Sequence, residues 1–86
     1  MDDYFKSVLE YREFNKDESF KTVTSLKSAG GNLFIDSRKF QKSFDTNEFR
    51  PRRKGLMLTI EDWKHVLPHI QELIALAEGM NGANKP

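Results

Sequence analysis

The 86-residue chain has no cysteine, three prolines and no long hydrophobic run. Without cysteine it can build neither a disulfide scaffold nor a thiolate nucleophile or thiolate metal site, and an intracellular setting is expected. No apolar stretch approaches the ~20 residues that a membrane span needs, and no signal-peptide core follows Met1. Phosphate loops, nucleophile elbows and paired-carboxylate motifs are also missing, so nothing here suggests an enzyme. His65 and His69 stand four apart, but no third ligand matches them. A solvated helix flank is the simpler reading, and neither a metal nor a cofactor is expected.

What is present is charge, unevenly distributed. The net charge is +1, yet residues 1–19 sum to −3, residues 20–55 to +6 and residues 56–86 to −2. A polyanion would be attracted to the middle of the chain and not to its ends.

The pattern of side chains predicts four strands and a helix. Residues 8–14 read either as a strand or as part of a short amphipathic helix capped by Asp2-Asp3, so residues 1–19 are the least determined. Phe20 to Lys27 is rich in Thr and Val, as a half-buried strand should be. Ser28 to Asn32 supplies two glycines and an Asn for a hairpin turn. In the next strand, Leu33 to Gln41, Leu33 and Ile35 form an aliphatic face. Phe34, Asp36, Arg38 and Phe40 form a second face, suited to stacking and ion pairing more than to burial, with Asp36 and Arg38 as a structural pair. Lys42 to Glu48 closes another hairpin, and Phe49 to Leu58 is the last strand, its first part an edge or bulge at Pro51. Short connections make the sheet antiparallel.

Thr59 opens the helix, with Asp62 three residues on as in a capping box. Ile60, Trp63, Val66, Leu67, Ile70, Leu73, Ile74 and Ala77 make one apolar stripe, Pro68 is expected to kink it, and Gly79 is the C-cap candidate. One domain is thus expected over residues 1–79, followed by a disordered tail at 80–86. The stripe is longer than four short strands can cover, and the surplus suggests a two-fold partner helix.

The densest stretch is Phe49 to Trp63, FRPRRKGLMLTIEDW, with Arg50, Arg52, Arg53 and Lys54 within five residues. A solvated, aggregation-blocking edge would explain such a run. However, it joins Lys21, Lys27, Arg38, Lys39 and Lys42 in one block beside Phe34, Phe40, Phe44 and Phe49. Cations to track phosphates, with rings on which bases stack, are what a single-strand binder requires.

Pro51 to Thr59 followed by Glu61-Asp62-Trp63, together with Leu33 to Phe40, resembles the signature of the positive cofactor four family of transcriptional coactivators and single-stranded DNA-binding proteins. The resemblance spans about residues 20–78. It implies an α+β fold: a curved four-stranded antiparallel sheet and one kinked C-terminal helix (ββββα), homodimeric through that helix, with strand rather than helix near residues 8–14. It also implies DNA contacts at Arg53, Lys54, Arg38 and, if the turn is aligned without a gap, Lys27. Two departures matter. The family's stacking Trp falls on Gln41 and its Phe before the glycine turn falls on Ala29, leaving Phe40, Phe44 or Phe49 to substitute.

The expected nucleic-acid site is therefore Lys27, Arg38, Phe40, Lys42, Phe49, Arg50, Arg52, Arg53 and Lys54. The expected dimer interface is Trp63, Val66, Leu67, Ile70, Leu73 and Ile74, with Trp63 chiefly a core residue. The expected partners are single-stranded DNA, a second copy and proteins of transcription or replication, in a bacterial or phage-infected cell. The function expected is work on melted or unpaired DNA in transcription, replication, recombination or repair. Two alternatives stay open: a protein-interaction coactivator module whose basic face meets acidic partners, and RNA binding.

Overall fold

Strands form where β-branched and aromatic residues alternate, and the turns fall where glycine and asparagine allow. The computed structural model describes residues 3–84. A single 3-10 turn (Asp3–Ser7) precedes β1 (Val8–Asn15), β2 (Phe20–Ala29), β3 (Asn32–Lys42), β4 (Phe49–Thr59) and α1 (Ile60–Asn84). Residues 8–14 are thus strand. Each strand pairs antiparallel with its neighbours in the chain, giving the order β1-β2-β3-β4 with β1 and β4 at the edges.

The β2–β3 turn is two residues long. Gly30 and Gly31 take φ of 58° and 81° between the paired Ala29 and Asn32, the mirror-image turn that matches strand twist. The β1–β2 turn is held by Asp17, whose carboxylate accepts the backbone N–H groups of Ser19 and Phe20 at 2.7 and 2.9 Å.

The face of β3 that carries Asp36 and Phe40 is the buried one, which corrects the expectation of a wet surface. Val23, Ser25, Asp36 and Phe40 are each no more than 2 % exposed. The cause is the 3-10 turn, which lays Tyr4 and Phe5 across this face. Tyr4 meets the Phe40 ring edge-on at 5.1 Å, and Phe5 lies 6.1 Å from it and 5.4 Å from Tyr11. A buried carboxylate is costly unless it is paired and both its oxygens are hydrogen-bonded. Asp36 meets that demand: Arg38 donates to both its oxygens, at 2.9 and 3.1 Å, and the Tyr4 hydroxyl donates at 2.7 Å. Ser25, 3.0 Å from the Tyr4 oxygen, completes the cluster. Asp36 and Arg38 are the structural ion pair that the strand pattern suggested.

The opposite face carries Leu26, Leu33, Ile35, Leu56 and Leu58 near the helix end of the sheet. α1 starts there. Thr59 Oγ1 accepts the Asp62 N–H at 3.2 Å, the cap expected from the sequence. Trp63 Nε1 donates to the Ile35 carbonyl at 2.7 Å and fastens the helix to β3. Ile60, Trp63, Val66 and Ile70 are half-buried, whereas Leu67, Leu73, Ile74, Leu76 and Met80 are exposed. The helix passes through Pro68 and Gly79 and ends at Asn84. Gly79 is therefore not a cap, and residues 80–84 continue the helix where a polar tail was expected. Residues 85 and 86 of that tail lie outside the described residues. No helix among the described residues is long and apolar enough to cross a membrane.

Candidate nucleic-acid interface

The interface is built around an irregularity between β3 and β4. Arg38 pairs with Gly55, and Phe40 pairs with Pro51. Two steps along β3 thus correspond to four along β4, so Arg52, Arg53 and Lys54 stand opposite Lys39 alone. Proline contributes here by removing a donor where the ladder breaks, and glycine by allowing close approach. A Cβ on Gly55 would lie 2.8 Å from both the Arg38 Cα and the Ser37 oxygen. No larger residue fits without moving β3.

Arg38 supports the bulge. Its Nη1 donates to the carbonyls of Arg52 and Arg53, each at 3.0 Å, while its other nitrogens grip Asp36. Hydrogen bonding to Asp36 and the nearby carboxylate charge raise the Arg38 pKa, against the opposing effect of burial, so the cation is permanent. Burial pushes the Tyr4 phenol up to about 12; Asp36 adds to the rise, and the hydrogen bond with Ser25 opposes it. A chain of contacts therefore runs from Tyr4 through Asp36 and Arg38 to the backbone of the basic bulge.

Beside the bulge lies a groove of about 560 Å³ lined by Phe20, Lys39, Gln41, Pro51, Arg52, Arg53 and Lys54. Lys39 Nζ lies over the Phe20 ring, 4.4 Å from its centroid, and Arg52 donates to Gln41 Oε1. A second hollow at the tip of the β3–β4 hairpin is lined by Gln41, Lys42, Ser43, Phe44, Asp45, Arg50 and Arg52. Gln41 and Arg52 belong to both, so the two adjoin. The assembly offers a run of cations and two rings on an open surface. It can neutralise a row of phosphates while presenting π-faces to flat groups.

The expected site residues divide between the two sides of the sheet. Arg52, Arg53 and Lys54 line the groove, and Lys42 and Arg50 line the tip. Lys27 instead lies over the Tyr4 ring at 4.1 Å, and Phe49 is flanked by Lys21 and Lys42 at 4.6 and 5.5 Å. Arg38 faces inward as a support for the bulge. Phe40 is corrected outright: at 2 % exposure beneath Tyr4 and Phe5, it cannot stack on anything outside the protein. Lys39 was left out of the expected site, and Phe20 and Gln41 were missed. Their cross-strand pairing places them at the groove, and strand register, once known, would have shown it.

No family model and no curated relative matches the chain. Two solved structures do. One is a PC4 homologue from Burkholderia pseudomallei, at a TM-score of 0.63 and 22% identity, covering 83% of this chain and 90% of that one. This chain has the PC4 fold. The second is the bacteriophage T5 homologue of the eukaryotic transcription coactivator PC4, implicated in recombination-dependent DNA replication. It matches at a TM-score of 0.67 and 13% identity over 86% of this chain and 85% of that one. The four antiparallel strands and the closing helix are common ground between this chain and the PC4 fold. Within that fold, the bulge of β4 sets Arg52, Arg53 and Lys54 along one groove with Lys39 and Phe20.

Proposed function

We propose that this chain is a bacterial or phage member of the PC4 family that binds single-stranded DNA as a homodimer. The observation that carries the reading is the bulge, where Arg52, Arg53 and Lys54 leave the ladder together and line a groove beside the Phe20 ring. Three cations on a backbone pinned by Arg38 are preorganised for phosphates, and rings near them favour bases that have left the duplex. The protein thus acts as a binder and not as a catalyst, inside the cell, on melted or unpaired DNA. Of the processes such DNA serves, replication and recombination gain support from the T5 homologue, which is implicated in recombination-dependent DNA replication.

The second copy belongs on the helix. Leu67, Leu73 and Ile74 are exposed on α1, and Leu33 and Leu56 are exposed near its start. Exposed apolar side chains in this number suit an interface. Trp63, Val66 and Ile70, half-buried in the single chain, would lie at its margin.

The test is fluorescence anisotropy of a labelled single strand and its duplex over a salt series. Preference for the single strand, with a log–log salt slope of about −0.7 per phosphate contacted, supports the proposal. Arg53→Glu with Lys54→Glu should abolish binding and leave the dimer intact. Equal weak binding to both forms of DNA reduces the groove to a generic cation patch. Absence of binding at low salt refutes the DNA reading and leaves the helix, and hence a protein-interaction module, as the functional surface.

A further inference from the structure

Phe44 stands at the tip of the β3–β4 hairpin and is 95% exposed. The backbone beneath it is not loose. Ser43 N–H donates to the Glu48 carbonyl and Asn47 N–H to the Ser43 carbonyl, both at 2.8 Å, and Asn47 takes a φ of 61° to close the turn. The turn therefore holds the ring out in water instead of folding it onto the sheet. A bare ring on an ordered turn gives up hydrophobic burial, and cations line the hollow around it: Lys42, Arg50 and Arg52, with Asp45 the one opposing charge.

Three other aromatic residues of the basic region are engaged. Phe40 is buried under Tyr4 and Phe5, Phe49 is flanked by Lys21 and Lys42, and Lys39 covers Phe20. Phe14 is also exposed, on β1 opposite Thr22, but it lines neither hollow. The groove and the tip share Gln41 and Arg52. A strand whose phosphates follow Lys54, Arg53 and Arg52 therefore arrives at Phe44.

We propose that Phe44 is a stacking subsite for an unpaired nucleobase, placed at the end of the basic groove. The proposal rests on the single-strand reading above and adds to it a specific ring, a direction of travel and a ligand class. Stacking accepts any base, because each has a π-face, and it is closed to bases held in a duplex. Charge draws the strand in along the groove, and the ring fixes where its last bound base sits.

The experiment compares wild type, Phe44→Ala and Phe44→Trp on two probes of equal length, an oligothymidine and an abasic strand with the same phosphates. Loss of a stacked base typically weakens binding by about 5- to 150-fold. Phe44→Ala should show such a loss on oligothymidine and none on the abasic strand, with an unchanged salt slope, and Phe44→Trp should retain wild-type affinity. Equal affinity of wild type and Phe44→Ala on oligothymidine overturns the subsite alone. An equal loss on both probes also overturns it, since the ring would then act through the fold or the phosphates. So does a change in sedimenting mass without a change in DNA affinity, which would assign Phe44 to a protein contact. Failure of the wild type to bind either strand overturns the underlying reading, and the subsite with it.

Discussion

Gly55→Ala is the sharpest test of how the bulge is built. A methyl group at this position would lie 2.8 Å from the Arg38 Cα, 2.8 Å from the Ser37 oxygen and 2.9 Å from the Arg38 Cβ. Carbon atoms pack comfortably at about 3.5–4.0 Å, so all three contacts are too short by more than half an ångström. Two of the three neighbours are backbone atoms of β3 and cannot swing away as a side chain would. Overpacking of this kind costs roughly 1–3 kcal/mol. In a domain of this size each kcal/mol moves Tm by about 4–8 °C, so Gly55→Ala should melt roughly 5–20 °C below wild type. Circular dichroism melts at one fixed protein concentration give the answer, because association would otherwise shift the midpoint. Gly79→Ala is the matched control: nothing lies within 4 Å of its added Cβ, and the residue sits inside α1. That substitution should raise stability by about 0.5–1 kcal/mol through helix propensity. If Gly55→Ala melts with the wild type, the close approach of β4 to β3 at the bulge is not what the structure says it is.

Tyr4→Phe keeps the ring against Phe40 but removes a donor from buried Asp36; it should cost about 1–3 kcal/mol, read by urea unfolding. The same variant tests a pH dependence. The Tyr4 phenol rises from 10.0 to about 12 in the folded chain, so between these values the folded state keeps a proton that the unfolded state has lost. Stability is complete below pH 10 and declines as pH rises toward 12; Tyr4→Phe should flatten that part of the decline. Leu73→Glu, at a position 62% exposed in the single chain, should leave secondary structure intact and convert the proposed dimer to a monomer in sedimentation. An unchanged mass would remove Leu73 from the interface.

Much of the fold was legible because its signals are local. Gly30-Gly31 specifies a two-residue hairpin wherever it stands between alternating strands, and Thr59 caps a helix with an oxygen three residues from its donor. What escaped the sequence depends on distance. Tyr4 and Asp36 are 32 positions apart, and nothing near either residue announces their hydrogen bond. Hence a strand reading Phe-x-Asp-x-Arg-x-Phe looked like a wet face, although a neutralised Asp36 and an aromatic lid made it the core. The basic groove was half legible. Arg52, Arg53 and Lys54 are evident in sequence as a cluster, but that they leave the ladder together follows from a register shift that only pairing reveals. Gly79 misled because a glycine after an apolar stripe usually ends a helix, and here the helix simply continues.

The bulge has a consequence for how such a surface can change over generations. Arg38 holds it by the carbonyls of Arg52 and Arg53, groups that every amino acid supplies, while the side chains at 52, 53 and 54 point away from the core and are exposed. Shape and charge are thus written by different residues. Substitutions at these three positions can change the charge of the surface in small increments without unfolding the chain that carries them, whereas Gly55, Arg38 and Asp36 are not free to drift. A lineage could adapt this surface to a new partner while the scaffold beneath it stayed the same.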